Sequence, residues 1–363
     1  MTRSPIASIA SIATATPSFR MTQDEWLAIA ERLAGPEVDR RLLARLAERS
    51  GIASRACAAF EPGFEPLYRP GKVPGTAERM ALWARAARAT SLEASARALA
   101  EAKVAPHEVT HVVTASCTGF ESPGIDAHLI GSLGLPRQCH RLNVGFMGCH
   151  AAVNALSAAR AAVIASTTAS DAGAVALVCC AEVSSAHLHA DVRPDRLVAN
   201  TLFADGCAAI VVRGSDRAPG VGVPTIAATA STVIPDTQAE MAWTIGDRGF
   251  EMTLGGEVPA ILEREVGVWV RAALAGHGLR IADIGAWAIH PGGPRVIDAV
   301  LAALDLPPAA GEASREVLRA HGNMSSATLL FILARLRASG APLPWVGLAF
   351  GPGLVGELIL IDG

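Results

Sequence analysis

The order of predicted elements runs through the chain twice, and this repetition limits the fold more tightly than any single motif. "THVVTASCTGFESPG" (110–124) predicts a strand, a turn and the start of a helix. A long alanine-rich helix is predicted to open at Cys149, and "AVALVCCAE" (174–182) and "CAAIVV" (207–212) read as buried strands. Past the Pro/Gly break "GSDRAPGVGVP" (214–224) the order recurs. "IGAWAIHPGGP" is strand and turn, "PRVIDAVLAALD" is helix, and "GNMSSATLLFILARLRASG" is a helix ending at glycine. "WVGLAFGPG" and "GELILIDG" close the chain as strands. Residue identity between the halves is slight, but the matching order predicts duplication of one α/β unit, as halves 1–215 and 216–363. The strands are continuous apolar runs, as expected when both faces of a sheet are covered.

Ahead of the repeat, "IASIATATP" predicts a first strand, and Asp24 to Arg49 predicts helices. A Pro/Gly-punctuated loop over 60–76 precedes an alanine-rich helix from Thr76 to Ala102. At 363 residues, with 51% hydrophobic and 18% charged residues, the chain can bury a substantial core.

Composition narrows function by exclusion. The net charge of -3 comes from interspersed acids and bases, so no basic stripe points to nucleic acid or a lipid surface. Aromatics at 4% argue against a stacking platform for single strands. Serines and threonines interrupt the small apolar residues after Arg3, so that stretch reads as strand rather than leader. No apolar run is clean enough to span a bilayer. The seven cysteines are odd in number and form no CxxC pair, which predicts a reducing cytoplasm rather than disulfides or structural zinc.

If the halves are related by a pseudo-twofold, the helix starts at Cys149 and Asn323 approach each other. A helix N-terminus lowers a thiol pKa, so Cys149 is a candidate nucleophile; a small buried residue is the alternative. His290 follows an apolar strand, where sheets present ligand-binding groups, and Pro-Gly-Gly-Pro constrains its backbone. It reads as an acid/base or oxyanion group, or as a core histidine. Asn323 is either a helix cap or a neutral amide donor to a thioester carbonyl. "HLH" at His187 and His189 lacks a third partner for a metal.

The combination of Cys149, His290 and Asn323 with "HPGGP", "GNMSS" and a terminal "FGPG" resembles the type III polyketide synthases, the chalcone and stilbene synthase family. The resemblance covers nearly the whole chain and includes "LVANTLFADGCAAIVV" and "LAFGPGLVGELIL". It implies a thiolase-like αβαβα layered fold with two structurally duplicated halves, the first carrying the nucleophilic cysteine and the second the His and Asn. It also implies a homodimer, acyl-CoA and malonyl-CoA as substrates, and no metal or redox cofactor. Cys149 would hold the acyl group, and His290 and Asn323 would stabilise the enolate left by decarboxylation.

The resemblance also assigns cavity positions. Phe203 matches a phenylalanine at the junction of CoA tunnel and cavity, and Phe350 and Gly351 belong to the C-terminal loop that supports the cavity. Met252 stands where plant members have a second gate phenylalanine, which predicts room for a fatty or other apolar acyl starter. His187 replaces a cavity threonine, and Ser122 replaces a methionine that crosses the dimer interface. Cys117 resembles bacterial members, with Thr118 and Ser325 also placed at the cavity. Arg49 and Arg55 are the nearest candidates for CoA phosphates. Expected products are pyrones, resorcinols or related aromatics; a single-condensation ketoacyl-ACP synthase III-like enzyme and a silent acyl-CoA-binding protein are the alternatives. His150 has no assigned role.

Overall fold

The computed structural model describes residues 5–63, 66–69, 72–169, 173–190, 192–216 and 220–363. Parts of the expected loops, at 64–65, 70–71 and 217–219, lie outside the described residues. The first half runs β1 (Ile6–Ala15), β2 (Arg20–Thr22), α1 (Gln23–Ala34), α2 (Arg40–Arg49), β3 (Ser54–Ala56), α3 (Thr76–Glu101), β4 (His111–Ser116) and α4 (Ile125–Leu133). It continues with β5 (His140–Gly145), α5 (Ala151–Ala169), β6 (Ala174–Val183), α6 (Pro194–Leu202) and β7 (Asp205–Ser215). The second half begins with β8 (Thr225–Val233), β9 (Met241–Gly246), β10 (Gly249–Leu254) and α7 (Val258–Ala275). It ends with β11 (Ala286–Ile289), α8 (Pro294–Ala303), α9 (Glu312–His321), α10 (Ser326–Ala338), β12 (Trp345–Gly351) and β13 (Val355–Asp362).

Strand pairing repeats in register with the elements. β1 pairs antiparallel with β7, β7 antiparallel with β6, and β6 parallel with β4. In the second half β8 pairs antiparallel with β13, β13 antiparallel with β12, and β12 parallel with β11. Strand β5 extends the first half, parallel to β4, and forms one edge of the resulting nine-stranded sheet. β1 and β8 join the halves through the pair Ser8–Thr225.

Three apolar clusters separate the layers. One lies between α3 and the first-half strands, another between α7, α8 and the second-half strands. The third surrounds α5 and α10, which form the central helical layer. Ala151, Ala152, Ala155 and Ala159 are fully buried on α5. Their small side chains bring that helix close to its neighbours. Leu329, Leu330, Ile332 and Leu333 fill α10 at no exposure, each contributing about 1.5–3 kcal/mol by leaving water.

Both central helices start later than the sequence predicts. Cys149 precedes α5 by two residues and Asn323 precedes α10 by three. The backbone explains the delay: Gly148 has φ 94° and Ser325 has φ 48°, and neither value is helical. The two polar residues therefore sit on turns ahead of the helices. The β9–β10 hairpin, unanticipated in the sequence, pairs Trp243 with Met252.

Candidate active site

Cys149 is set on a turn that could not be built with a larger residue at 148. A Cβ on Gly148 would lie 2.3 Å from Cδ of Pro352, besides requiring positive φ. The Cys117 thiol fastens this turn, donating to the Gly148 carbonyl and accepting its N–H, both at 3.0 Å. Glu182 anchors the end of β4 in turn. Its buried carboxyl accepts from the Cys117 and Thr118 amides, from Thr118 Oγ1 at 2.7 Å and from the Ser326 hydroxyl. Burial raises its pKa against these donors.

The second half supplies Asn323 and Ser325. The Asn323 backbone bonds to Leu202 and Ala204, tying it beside Phe203. Its Oδ1 accepts the Ser325 N–H at 2.9 Å, which leaves the Nδ2 hydrogens as the group the side chain can present. Cys149 and Ser325 both line a small cavity, with Phe203, Met252, Cys117, Thr118 and His187.

His290 follows β11 as expected. Its amide donates to the Leu348 carbonyl at 2.8 Å, and its ring is 1% exposed. Neither ring nitrogen has a partner. Burial, with the neighbouring His150 adding to it, lowers its pKa to about 3, so the imidazole is neutral at physiological pH. Burial also pushes the Cys149 thiol up to about 12, with Ser325 opposing and Glu182 reinforcing. This reverses the expectation from the helix start: desolvation outweighs the dipole, and the resting pair is thiol and neutral imidazole.

Several assigned positions have other duties. Arg55 is 1% exposed, and its guanidinium donates to the carbonyls of Asn200, Thr201 and Phe203 and to Gln23 Oε1. It stacks over Trp26 as well. That corrects its assignment to CoA phosphates, because the side chain is buried and both terminal nitrogens of the fork are spent inside the protein. Arg49 is exposed at the last turn of α2. Phe350 packs in the second-half core, and Pro352 from the same loop reaches the cavity instead. Gly351 lies under the His150 ring, which an added Cβ would meet at 2.5 Å.

His187 is committed at both nitrogens, donating to the Thr118 carbonyl at 2.6 Å and accepting the Phe250 N–H at 2.9 Å. It also stacks on Phe250 with ring centroids 4.2 Å apart. Burial holds its pKa near 3, so it serves as a neutral wall. Sequence reading missed Glu182 and Trp243. Glu182 alone left a trace, as a charge ending an apolar strand.

Two family models match the chain. Residues 5–217 match the N-terminal domain of chalcone and stilbene synthases, and residues 225–363 match the C-terminal domain. The chain belongs to the chalcone and stilbene synthase family. It is a type III polyketide synthase of the bacterial type, an acyltransferase-type condensing enzyme on a thiolase-like fold. It is 33% identical over 359 residues to a 1,3,6,8-tetrahydroxynaphthalene synthase of Streptomyces peucetius, covering 98% of this chain and 92% of that one. It is 32% identical over 370 residues to an alpha-pyrone synthesis polyketide synthase-like protein of Mycobacterium tuberculosis, covering 98% and 91%. Among solved structures, PKS-I from the brown alga Ectocarpus siliculosus superposes with a TM-score of 0.94 at 29% identity, covering 99% of each chain. Among the described residues, no helix of this polyketide synthase is long and apolar enough to cross a membrane.

Proposed function

We propose that this type III polyketide synthase loads an acyl-CoA starter on Cys149 and extends it with malonyl-CoA by decarboxylative Claisen condensation. The observation that carries the reading is His290, a buried imidazole with two unpartnered nitrogens. Buried polar atoms are nearly always satisfied, so an orphan pair of imidazole nitrogens calls for a substrate oxygen or proton.

In loading, His290 takes the Cys149 proton, the thiolate attacks the acyl carbonyl, and CoA leaves with that proton. In extension, malonyl-CoA loses CO2, and its thioester oxygen takes the developing charge. The His290 N–H and Asn323 Nδ2–H stabilise that oxygen as neutral donors. The enolate carbon then attacks the acyl thioester; the new C–C bond forms, the C–S bond breaks, and the chain leaves Cys149 as a β-ketoacyl-CoA. These steps need no metal or redox group.

The starter we propose is apolar but short. Trp243, held by its Nε1–H to the Cys117 carbonyl at 2.7 Å, joins Met252 and Phe203 in closing the cavity to about 40 Å³. That is space for on the order of three waters. A long fatty chain, the expectation drawn from Met252, does not fit without moving these side chains. Pyrones, resorcinols or related aromatics remain the proposed products, and Arg49 the proposed contact for CoA phosphate. A homodimer is proposed across β5, an edge strand flanked by exposed Phe120, Leu142 and Met147.

The test is mass spectrometry of products from a panel of acyl-CoAs with malonyl-CoA, beside intact-protein mass after each starter. Acylation of the wild type and none in Cys149→Ala supports the reading. Acylation persisting in Cys149→Ala, or no CO2 from malonyl-CoA with the wild type, overturns it.

A further inference from the structure

Both histidines of "HLH" bind one residue, Phe250 of β10. Its backbone finds its partners outside the hairpin. His187 Nδ1 accepts the Phe250 N–H at 2.9 Å, and His189 Nε2 lies 2.8 Å from the Phe250 carbonyl oxygen. A carbonyl can only accept, so the His189 proton is on Nε2 and donates. The two imidazoles thus do for β10 what a third strand would do. One side chain of α6 fixes His189 in turn: Asn200 Nδ2 donates to its carbonyl at 2.8 Å, and Asn200 Oδ1 accepts its N–H at 3.4 Å. Thr76, the first residue of α3, holds the adjoining turn. Its hydroxyl donates to the Gly246 carbonyl and accepts the Gly249 N–H at 2.9 Å, and its amide donates to the Asp247 carbonyl at 2.9 Å.

These bonds matter because β9 and β10 form a two-stranded sheet of their own, outside the nine-stranded one. No strand ladder joins the hairpin to the rest of the chain, and a pair of strands alone is marginally stable. Yet it carries Trp243 and Met252, which face each other across its strands and both line the cavity. We infer that His189 and Thr76 are positioning residues for starter selection: by clamping the closed end of the β9–β10 hairpin, they hold Trp243 and Met252 at the cavity wall and so set the length of acyl group that Cys149 can receive. The inference rests on the reading of this cavity as the place of the acyl starter. Two further side-chain bonds, Trp243 Nε1–H to the Cys117 carbonyl and Arg196 to Glu251 at 2.6 Å, share the load, so losing one clamp loosens the hairpin without releasing it. His187 belongs to the clamp as well, but it also donates to the Thr118 carbonyl, so its removal would disturb two elements at once. His189 lines the cavity and Thr76 does not, which separates the effect of a looser hairpin from that of added space.

The test is the rate of Cys149 acylation, followed by intact mass, across straight-chain acyl-CoAs of increasing length. In His189→Ala and in Thr76→Val, which loses only the hydroxyl, the rate with longer chains rises about fivefold relative to the shortest, as for loss of one hydrogen bond. His189→Gln keeps an N–H donor at about the reach of Nε2 and restores the wild-type ratio. A variant that merely folds less well lowers all rates and leaves the ratio unmoved. An unmoved ratio in either variant overturns the inference; a rise confined to His189→Ala would mean that space, rather than a loosened hairpin, admits the chain. A ratio that stays raised in His189→Gln overturns it too. Thr76→Val decides the matter if His189→Ala does not fold. No acylation of the wild type by any starter overturns both this inference and the acyl-carrier reading; acylation without CO2 release from malonyl-CoA leaves this inference standing and overturns the condensation.

Discussion

The Cys117 sulfur lies 3.0 Å from both the carbonyl oxygen and the amide nitrogen of Gly148. A side chain from just past the end of β4 thus closes the turn that carries Cys149. Burial raises the Cys117 pKa well above the usual thiol value, with Glu182 and Cys149 adding to it, so this sulfur stays protonated and can donate. Replacing Cys117 by Ala removes both bonds, worth about 1 kcal/mol in a closed turn, and slows Cys149 acylation about fivefold. Cys117→Ser restores a donor and acceptor and recovers part of the rate. Acyl-enzyme formation followed by intact mass gives the comparison.

Asn323→Asp replaces a neutral donor by a carboxylate next to the developing enolate. Decarboxylation of malonyl-CoA falls by about 10²–10³-fold, as for loss of an oxyanion donor, while starter loading falls far less. CO2 release and acyl-enzyme mass, measured on one preparation, separate the two steps. Equal losses in both would remove the oxyanion role.

Met252 faces Trp243 across the β9–β10 hairpin at the cavity wall. A phenylalanine at 252 is stiffer than methionine, so Met252→Phe narrows the range of accepted starters. Turnover of acyl-CoAs of increasing length gives the cut-off. The same cut-off in both proteins would show that another side chain sets it.

Acid sensitivity follows from the buried histidines. His187 and His290 fall from an ordinary value of 6.5 to about 3 in the folded chain, through burial in both cases. Between those values the unfolded chain binds protons that the folded chain does not, so stability rises with pH. It is fully present above pH 6.5 and is lost progressively as pH falls below that. Each group costs on the order of 1–2 kcal/mol at pH 5. Urea unfolding midpoints at pH 7 and pH 5 check this, and His187→Gln should show a smaller drop.

The duplicated architecture was legible because the strands and helices of the two halves follow one order. Cys149, His290 and Asn323 stand out in the sequence because small, Pro-rich and Gly-rich neighbours mark them. The turn that delays α5 does not, since a left-handed backbone at Gly148 depends on Pro352, more than two hundred residues away. Arg55 looked like a contact for CoA phosphate because nothing local shows that three carbonyls from 200–203 converge on it. The effect of burial on Cys149 was equally invisible: a helix start is a local feature, whereas desolvation comes from both halves at once. Trp243 gave no periodic signal because its hairpin sits outside the repeated unit.

The meeting of two equivalent helix starts has a consequence for stoichiometry. A duplicated fold could in principle carry a reacting thiol in each copy. Here the turn before α10 carries the amide of Asn323 and no thiol, and Cys149 and Ser325, one from each turn, line one cavity. On the proposed reading of Cys149 as the acyl carrier, the 363 residues carry a single acyl group, and neither copy holds a spare with which to compensate for damage in the other.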